Sequence, residues 1–139
     1  MSEQNNKASL ELRDAAFAAM ENAYEPYSHF RVGSAVRTST GEIVSGCNVE
    51  NAAYGEALCA ERVAIAAAVA QGMKKFEEIA IVSEADEPSP PCGSCRQTMS
   101  EFAPDLRVVS YTRNGRQATW RLGDLLPEAF ALNHLRGRT

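Results

Sequence analysis

The sequence contains no long hydrophobic run and no excess of basic residues. Its longest nearly apolar stretch, residues 63–70, is far shorter than the roughly 18 residues that a membrane-spanning helix requires. The first seven residues, MSEQNNK, lack the apolar region of a secretory signal. The 14 Lys and Arg against 18 Asp and Glu give a formal net charge of −4, which argues against binding to a nucleic-acid polymer through its phosphates. We therefore expect a cytoplasmic protein without membrane or nucleic-acid partners.

A chain of 139 residues is long enough for one domain with its own core. Residues 1–7 are predicted to form a flexible tail and residues 8–139 the domain. A first helix is predicted over 10–23 with Ser9 as its N-cap, because apolar residues recur at helical spacing. The patterns then predict strands 32–37 and 42–47, helix 58–71, strand 78–83, helix 94–102, strands 107–111 and 117–121, and a short helix capped by Asp124. This order predicts a three-layer α/β domain.

The cysteines carry the most informative spacing. Cys59 lies upstream of the Cys-x-x-Cys pair formed by Cys92 and Cys95, and each group falls at a predicted helix start. Free backbone N–H groups and the helix dipole stabilise thiolates at such positions. Three thiolates leave one position open on a tetrahedral zinc ion, as in catalytic sites. The two histidines, His29 and His134, are distant in sequence, so no fourth protein ligand is evident.

A carboxylate and two arginines adjoin these cysteines. Glu61 follows Cys59 by two positions, which suits a general acid/base that lies beside the metal without coordinating it. Arg62 and Arg96 directly follow Glu61 and Cys95, and hydrogen bonds from them to sulfur would offset the charge of the thiolates. Simpler interpretations remain: a lone Cys-x-x-Cys pair is equally typical of a redox or structural-metal motif. Cys47 has no spacing partner and is interpreted as a small buried hydrophobic residue.

Several separated segments extend this pattern over nearly the whole chain. They are PYSHF at 26–30, CNVENAAYG at 47–55, CAER at 59–62, PCGSCRQ at 91–97 and LLP at 125–127, followed by Phe130. In this order they resemble the small homotetrameric cytidine deaminases. The resemblance implies a three-layer α/β/α cytidine deaminase-like fold with a mixed five-stranded sheet over residues 8–139. It also implies one Zn²⁺ per chain on Cys59, Cys92 and Cys95, with Glu61 shuttling protons.

The resemblance also implies a set of substrate contacts. Asn48 and Glu50 would bind the ribose hydroxyls, since polar groups matched to a substrate hydroxyl reject analogues that lack it. Phe30 would stack on the pyrimidine, and the backbone N–H of Ala60 would meet the base carbonyl. In a homotetramer with shared pockets, the residues completing a neighbouring subunit's site would be Ala52, Tyr54 and Phe130.

Three functions remain open on the sequence. The first is hydrolytic deamination of cytidine and deoxycytidine in pyrimidine salvage, with release of ammonia. The second is deamination of another aminopyrimidine nucleoside, such as a modified or antibiotic-type cytidine, because Glu56 stands where the family usually carries apolar or hydroxyl residues. The third is a structural-zinc binding module without chemistry, which an open coordination position beside an acid disfavours.

Overall fold

A sheet of five strands forms the centre of the structure, a computed structural model that describes residues 3–132. The strands are β1 (Val32–Thr38), β2 (Ile43–Cys47), β3 (Phe76–Ser83), β4 (Arg107–Thr112) and β5 (Gln117–Arg121). Their order across the sheet is β2-β1-β3-β4-β5. β3 and β4 pair in parallel and the other neighbours are antiparallel. The sheet is therefore mixed, as the resemblance implied, and the five predicted strands are confirmed.

Helices cover both faces of this sheet. They are α1 (Glu3–Met20), α2 (Ala60–Ala70), α3 (Gly93–Phe102) and α4 (Leu122–Leu125), and a 3₁₀ turn spans Tyr54–Glu56. Leu12 and Met20 of α1 pack with Ala80 and Val82 of β3 on one face. The opposite face carries a second cluster, which includes Ile65 of α2 and Met99 of α3 together with Ile79 and Ile81 of β3. Because neighbouring strand residues point to opposite faces, β3 contributes to both clusters, as do β1 and β4. The predicted three-layer arrangement is confirmed.

Two glycines let helices approach the sheet closely. A Cβ atom at Gly46 of β2 would lie 2.6 Å from the backbone nitrogen of Ala64 in α2. A Cβ atom at Gly33 of β1 would collide with the carbonyl oxygen of Ala16 in α1. Glycine therefore sets the distance between the sheet and each of these helices.

One edge of the sheet collects the chain segments that carry the chemistry-bearing residues. β3 ends at Ser83 opposite Val32, where β1 begins, and β2 ends at Cys47 opposite Gly33. The next α-helix after β2 is α2, and the next after β3 is α3, so both helices begin at this edge. Ligands of open α/β sheets commonly bind outside the carboxyl ends of the strands. The topology thus brings two distant cysteine segments together.

The helix ends correct several predictions. α1 begins at Glu3 and ends at Met20, so residues 3–7 are helical where a flexible tail is predicted. Neither Gly nor Pro interrupts this polar turn, and an exposed turn gives no apolar signal in the sequence. Ser9 lies inside α1 and is buried rather than a cap, and Asp124 lies inside α4, whose N-cap is Arg121. No helix among residues 3–132 is long and apolar enough to cross a membrane. His134 lies outside the described residues.

Candidate active site

The three predicted zinc ligands form one cluster. The Sγ atoms of Cys59, Cys92 and Cys95 all lie within 4.8 Å of one another. Cys59 and Cys92 are 3.8 Å apart, and Cys92 and Cys95 are 3.4 Å apart. Tetrahedral coordination with zinc–sulfur bonds of about 2.3 Å requires sulfur–sulfur distances of about 3.8 Å. The donor set therefore fits one Zn²⁺ per chain.

Helix starts hold these thiols in place. Cys59 is the N-cap of α2 and Cys92 the N-cap of α3, each with extended backbone, and Cys95 lies in the first turn of α3. A hydrogen bond with the Cys95 thiol, supported by Arg62, lowers the pKa of Cys59 to about 5, against the opposing effect of burial. The same hydrogen bond with Cys59, together with burial, raises the pKa of Cys95. The surroundings thus favour the thiolate form of Cys59, which is the form that binds a metal ion.

Glu61 supplies a carboxyl beside the thiols. It lies in the first turn of α2, its side chain lines the cavity, and the residue is only 5% exposed. Burial raises the pKa of Glu61, and a hydrogen bond with the Cys95 thiol partly opposes this shift. A buried carboxyl that is able to hold a proton nearer to neutral pH is suited to general acid/base catalysis.

The two arginines have different partners. Arg62 donates to the carbonyl oxygen of Ala57 at 3.1 Å, and its hydrogen bond to Cys59 raises the pKa of Arg62. Arg96 donates instead to the carbonyl oxygens of Pro91 (2.8 Å) and Leu125 (3.0 Å). The role of Arg62 in offsetting the thiolate charge stays a prediction, and its interaction with Cys59 supports it. Arg96 is predicted to contact sulfur, but in the structure its guanidinium group donates to backbone carbonyl oxygens. One of these bonds holds Pro91, the residue before Cys92.

A cavity of about 300 Å³ opens beside the thiols. It brings together seven predicted site residues, namely Phe30, Asn48, Glu50, Cys59, Ala60, Glu61 and Cys92. Sequence reasoning missed the seven other lining residues, which are Val32, Ala57, Leu58, Ile81, Ser83, Ser89 and Pro90. Ser83 ends β3 at the site edge of the sheet, and the proline-rich loop that follows signals a turn but not which cavity it borders. Cavities of this volume accommodate small-molecule ligands.

Asn48 and Glu50 form one wall of the cavity and hold the Phe30 segment. The side-chain amide of Asn48 donates to the carbonyl oxygen of Phe30 at 2.9 Å and accepts from the nitrogen of Val32 at 2.9 Å. Glu50 accepts hydrogen bonds from Ser28 and from the backbone of Tyr27. These bonds, from the Ser28 side chain above all, lower the pKa of Glu50. An ionised carboxylate and an amide therefore face the ligand space.

Three of the predicted substrate contacts, Ala52, Tyr54 and Phe130, do not line this cavity. Ala52 is exposed, and Tyr54 is 79% and Phe130 62% exposed. Tyr54 borders a neighbouring cleft and packs edge-on against Tyr27, with ring centroids 6.3 Å apart. The carbonyl oxygen of Phe130 accepts a hydrogen bond from Gln97 of α3 at 2.9 Å. A single chain thus does not bring these three residues to the thiols.

Three clustered thiols leave one coordination position of a zinc ion open, and a buried carboxyl lies beside them. This arrangement is typical of zinc-dependent hydrolytic enzymes. The family comparison narrows this class. Residues 7–112 match the family model described as the cytidine and deoxycytidylate deaminase zinc-binding region. The chain belongs to this deaminase family.

Individual relatives agree with the family assignment. The chain is 42% identical to the cytidine deaminase of Halalkalibacterium halodurans over 116 residues, which cover 83% of this chain and 88% of the relative. The crystal structure of a cytidine deaminase from Burkholderia pseudomallei superposes with a TM-score of 0.84 at 46% identity, covering 94% of this chain and 100% of the other. A blasticidin-S deaminase of Bacillus cereus is 36% identical over 132 residues, covering 89% of this chain and 93% of the relative.

Proposed function

We propose that the protein catalyses hydrolytic deamination of cytidine and deoxycytidine to uridine and deoxyuridine, as a step of pyrimidine salvage in the cytoplasm. In this reaction a water oxygen adds to C4 of the base, the C4–N bond breaks and ammonia leaves. The observation that carries the proposal is the placement of buried Glu61 beside three clustered thiols, at the base of a cavity sized for a small ligand. The cytoplasmic assignment rests on the need for three reduced thiols.

The thiols of Cys59, Cys92 and Cys95 would hold one Zn²⁺. When bound, the ion supplies Lewis-acid chemistry, which lowers the pKa of water and so provides a nucleophile near neutral pH. Arg62 beside Cys59 offsets part of the negative charge of the thiolates. Arg96, through its bond to the Pro91 carbonyl oxygen, holds the segment that carries Cys92.

Glu61 would move the protons of the reaction. It would accept a proton from the attacking water, deliver a proton to N3 of the base and then protonate the departing amino group. Its burial supports this role, since a raised pKa lets one carboxyl both accept and donate near neutral pH. Ala60 is the first residue of α2, so its backbone N–H has no partner within the helix and can donate to the base carbonyl.

The remaining cavity residues would select a nucleoside. Phe30 offers an aromatic wall for the pyrimidine, and Asn48 and Glu50 offer polar atoms for the ribose hydroxyls. We propose that residues 8–139 form this catalytic domain.

A second candidate is deamination of a modified or antibiotic-type cytidine, which the 36% identity to a blasticidin-S deaminase favours. Glu56, the residue that raised this alternative in the sequence, is exposed in the 3₁₀ turn and does not line the cavity of its own chain. Its carboxylate therefore gives no support to the alternative within one chain. A structural-zinc module without chemistry is disfavoured, because such sites are closed by a fourth ligand.

We further propose a homotetramer in which Ala52, Tyr54 and Phe130 complete a neighbouring subunit's pocket. The exposure of Tyr54 and Phe130 in the single chain supports this arrangement. The test is the solution mass together with co-expression of two inactive chains, Glu61→Gln and Phe130→Ala. Regained activity in mixed tetramers supports pockets shared in trans, whereas a fully active monomer rules them out.

The function is tested by ammonia release from a panel of cytidine, deoxycytidine, cytosine, CMP and an N4-substituted cytidine. We expect turnover of the first two nucleosides and little or none of the free base. Faster turnover of the N4-substituted nucleoside would favour the second candidate. A zinc-loaded protein that releases ammonia from no member of the panel would contradict the deaminase proposal.

A further inference from the structure

One serine hydroxyl connects the two walls of the cavity. The Oγ atom of Ser28 donates a hydrogen bond to Oε2 of Glu50 and accepts one from the backbone nitrogen of Phe30 at 3.1 Å. The backbone nitrogens of Tyr27 and Ser28 donate to Oε1 of Glu50 at 3.1 and 3.0 Å. Both carboxylate oxygens of Glu50 are therefore held by the same turn, and Ser28 supplies the donor to Oε2.

The turn between Ser28 and Phe30 is a backbone conformation that needs support. His29 has a φ of 56°, in the left-handed region that residues other than glycine adopt at a cost. The side chain of His29 is exposed, so packing against it cannot hold this conformation. Two hydrogen bonds hold it instead: the backbone nitrogen of His29 donates to the carbonyl oxygen of Glu25 at 3.0 Å, and the nitrogen of Phe30 donates to Oγ of Ser28 at 3.1 Å. They fix the point at which the chain turns Phe30 into the cavity.

Phe30 is held at both ends of its backbone. Its nitrogen donates to Ser28 Oγ, and its carbonyl oxygen accepts from the side-chain amide of Asn48. Asn48 and Glu50 belong to one extended segment, whose backbone pairs with Tyr24 on both sides of Val49. The residues proposed to bind the sugar are thus bonded to the segment that presents the aromatic wall for the base.

We propose that Ser28 is a positioning residue that aligns Glu50 toward the sugar hydroxyls and at the same time seats Phe30 against the base. This inference rests on the proposed function, because it takes Glu50 and Phe30 as nucleoside contacts. Ser28 itself does not line the cavity beside the thiols, and it acts through its two bonded neighbours. Recognition of the sugar and recognition of the base are coupled through one hydroxyl group.

The experiment compares cytidine with 2′,3′-dideoxycytidine in steady-state kinetics of the zinc-loaded enzyme. Ser28→Ala should raise KM for cytidine about tenfold, the lower part of the range for hydrogen bonds to charged groups, because Glu50 is partly exposed to solvent. The turnover number should change far less, since Glu61 and the thiols are untouched. The preference for cytidine over the dideoxy analogue should fall by a similar factor. Ser28→Thr, which keeps the hydroxyl, should restore it.

Two further variants separate positioning from a general loss of structure. Ser39→Ala, in the hairpin loop at the far edge of the sheet, is the matched control and should leave both kinetic constants unchanged. In a Glu50→Ala background the sugar preference is already lost, so adding Ser28→Ala should not lower it further. A full additional loss there would assign the effect to something other than Glu50 and would overturn the inference.

The possible failures are distinguishable. If the wild-type enzyme does not deaminate cytidine, the proposed function fails and the inference fails with it. If the wild-type enzyme deaminates cytidine and prefers it to the dideoxy analogue, but Ser28→Ala keeps that preference, only the positioning role of Ser28 is overturned.

Discussion

Glu61 and Glu78 are both buried, but they lie on opposite faces of the sheet among different neighbours. Glu78 of β3 is 2% exposed and faces α1, with Arg37 at 3.3 Å and Arg107 at 3.5 Å from its carboxylate. Ser9 of α1 donates to the same oxygen at 3.1 Å. Glu61 lies beside thiols instead, and burial raises its pKa.

The comparison shows that the groups around a buried carboxylate determine whether it is suited to a structural or to a catalytic role. Two arginines and a hydroxyl contact Oε1 of Glu78. The strand register places the arginines opposite it, Arg37 on β1 and Arg107 on β4. Removing one member of such a buried cluster leaves an uncompensated charge, so we interpret Glu78 as a structural residue. Burial chiefly raises the pKa of Glu61, and the charge of Cys59 adds to this shift while Arg62 opposes it, so Glu61 is suited to proton transfer.

The largest expected effect comes from removing a thiol beside Glu61. Cys92→Ala leaves two sulfur ligands, which do not complete the proposed zinc site, so bound zinc should fall from about one per chain to near zero and activity should be lost. Metal analysis of the purified variant, with ammonia release, measures both. Cys47→Ala is the matched control and should keep its zinc. Full zinc occupancy in Cys92→Ala would remove Cys92 from the ligand set.

The second-largest expected effect comes from replacing Glu61, the residue proposed to move the protons. Glu61→Gln keeps the size and polarity of the side chain but cannot accept a proton, so turnover should fall by about 10²–10⁴-fold. Zinc content and the thermal midpoint should stay close to those of the wild type. Near-normal turnover would mean that another group moves the proton, and the contrast with Glu78 would then disappear.

The third effect lies on the other face of the sheet. Glu78→Gln removes the charge that Arg37 and Arg107 surround, and breaking a buried ion pair should lower the free energy of unfolding by about 3 kcal/mol. Urea unfolding measures the loss, and activity per folded molecule should be unchanged. Loss of activity in a fully folded variant would contradict a purely structural role. Glu77→Gln is the matched control, because its exposed carboxylate lies 3.8 Å from the same Arg37, and it should cost far less than Glu78→Gln.

The smallest effect tests the contact between α1 and this ion cluster. Ser9→Ala deletes one hydrogen bond to Glu78 and should lower the free energy of unfolding by about 1 kcal/mol. Asn6→Ala, an exposed change in the same helix, should have no such cost. In the Glu78→Gln background the cost of Ser9→Ala should shrink, because the two residues act on one interaction. Additive losses would show that Ser9 stabilises α1 in another way.

Local sequence signals predicted the strands and the clustering of the three cysteines well. Cys59 and Cys92 begin helices, and a helix start is recognised from its own few residues. The mixed sheet followed from the family resemblance, and the position of Glu61 beside the thiols followed from its adjacency to Cys59. The burial of Glu61 was not predicted. Predictions made for Ser9 and Arg96 were wrong because their partners, Glu78 and Leu125, are distant in the sequence. A single hydrogen bond between residues so far apart in the sequence produces no periodic pattern in it.

The conformation around Ser28 was missed for the same reason. Its partner Glu50 is 22 positions away, and a left-handed His29 carries no signal of its own in the sequence. The substrate roles of Asn48 and Glu50 remain predictions. The structure adds that both side chains also hold the Phe30 segment.

The close approach at Gly46 sets the position of α2 on the sheet, and with it the position of Cys59. Because α2 rests on the backbone of β2 at this point, a methyl group at position 46 would push against Ala64 and lift the start of the helix, moving Cys59 relative to Cys92. A random-mutagenesis screen for chains that fold but no longer retain zinc should therefore recover position 46 alongside the cysteines. Tolerance to mutation there measures how far zinc retention depends on the spacing between sheet and helix.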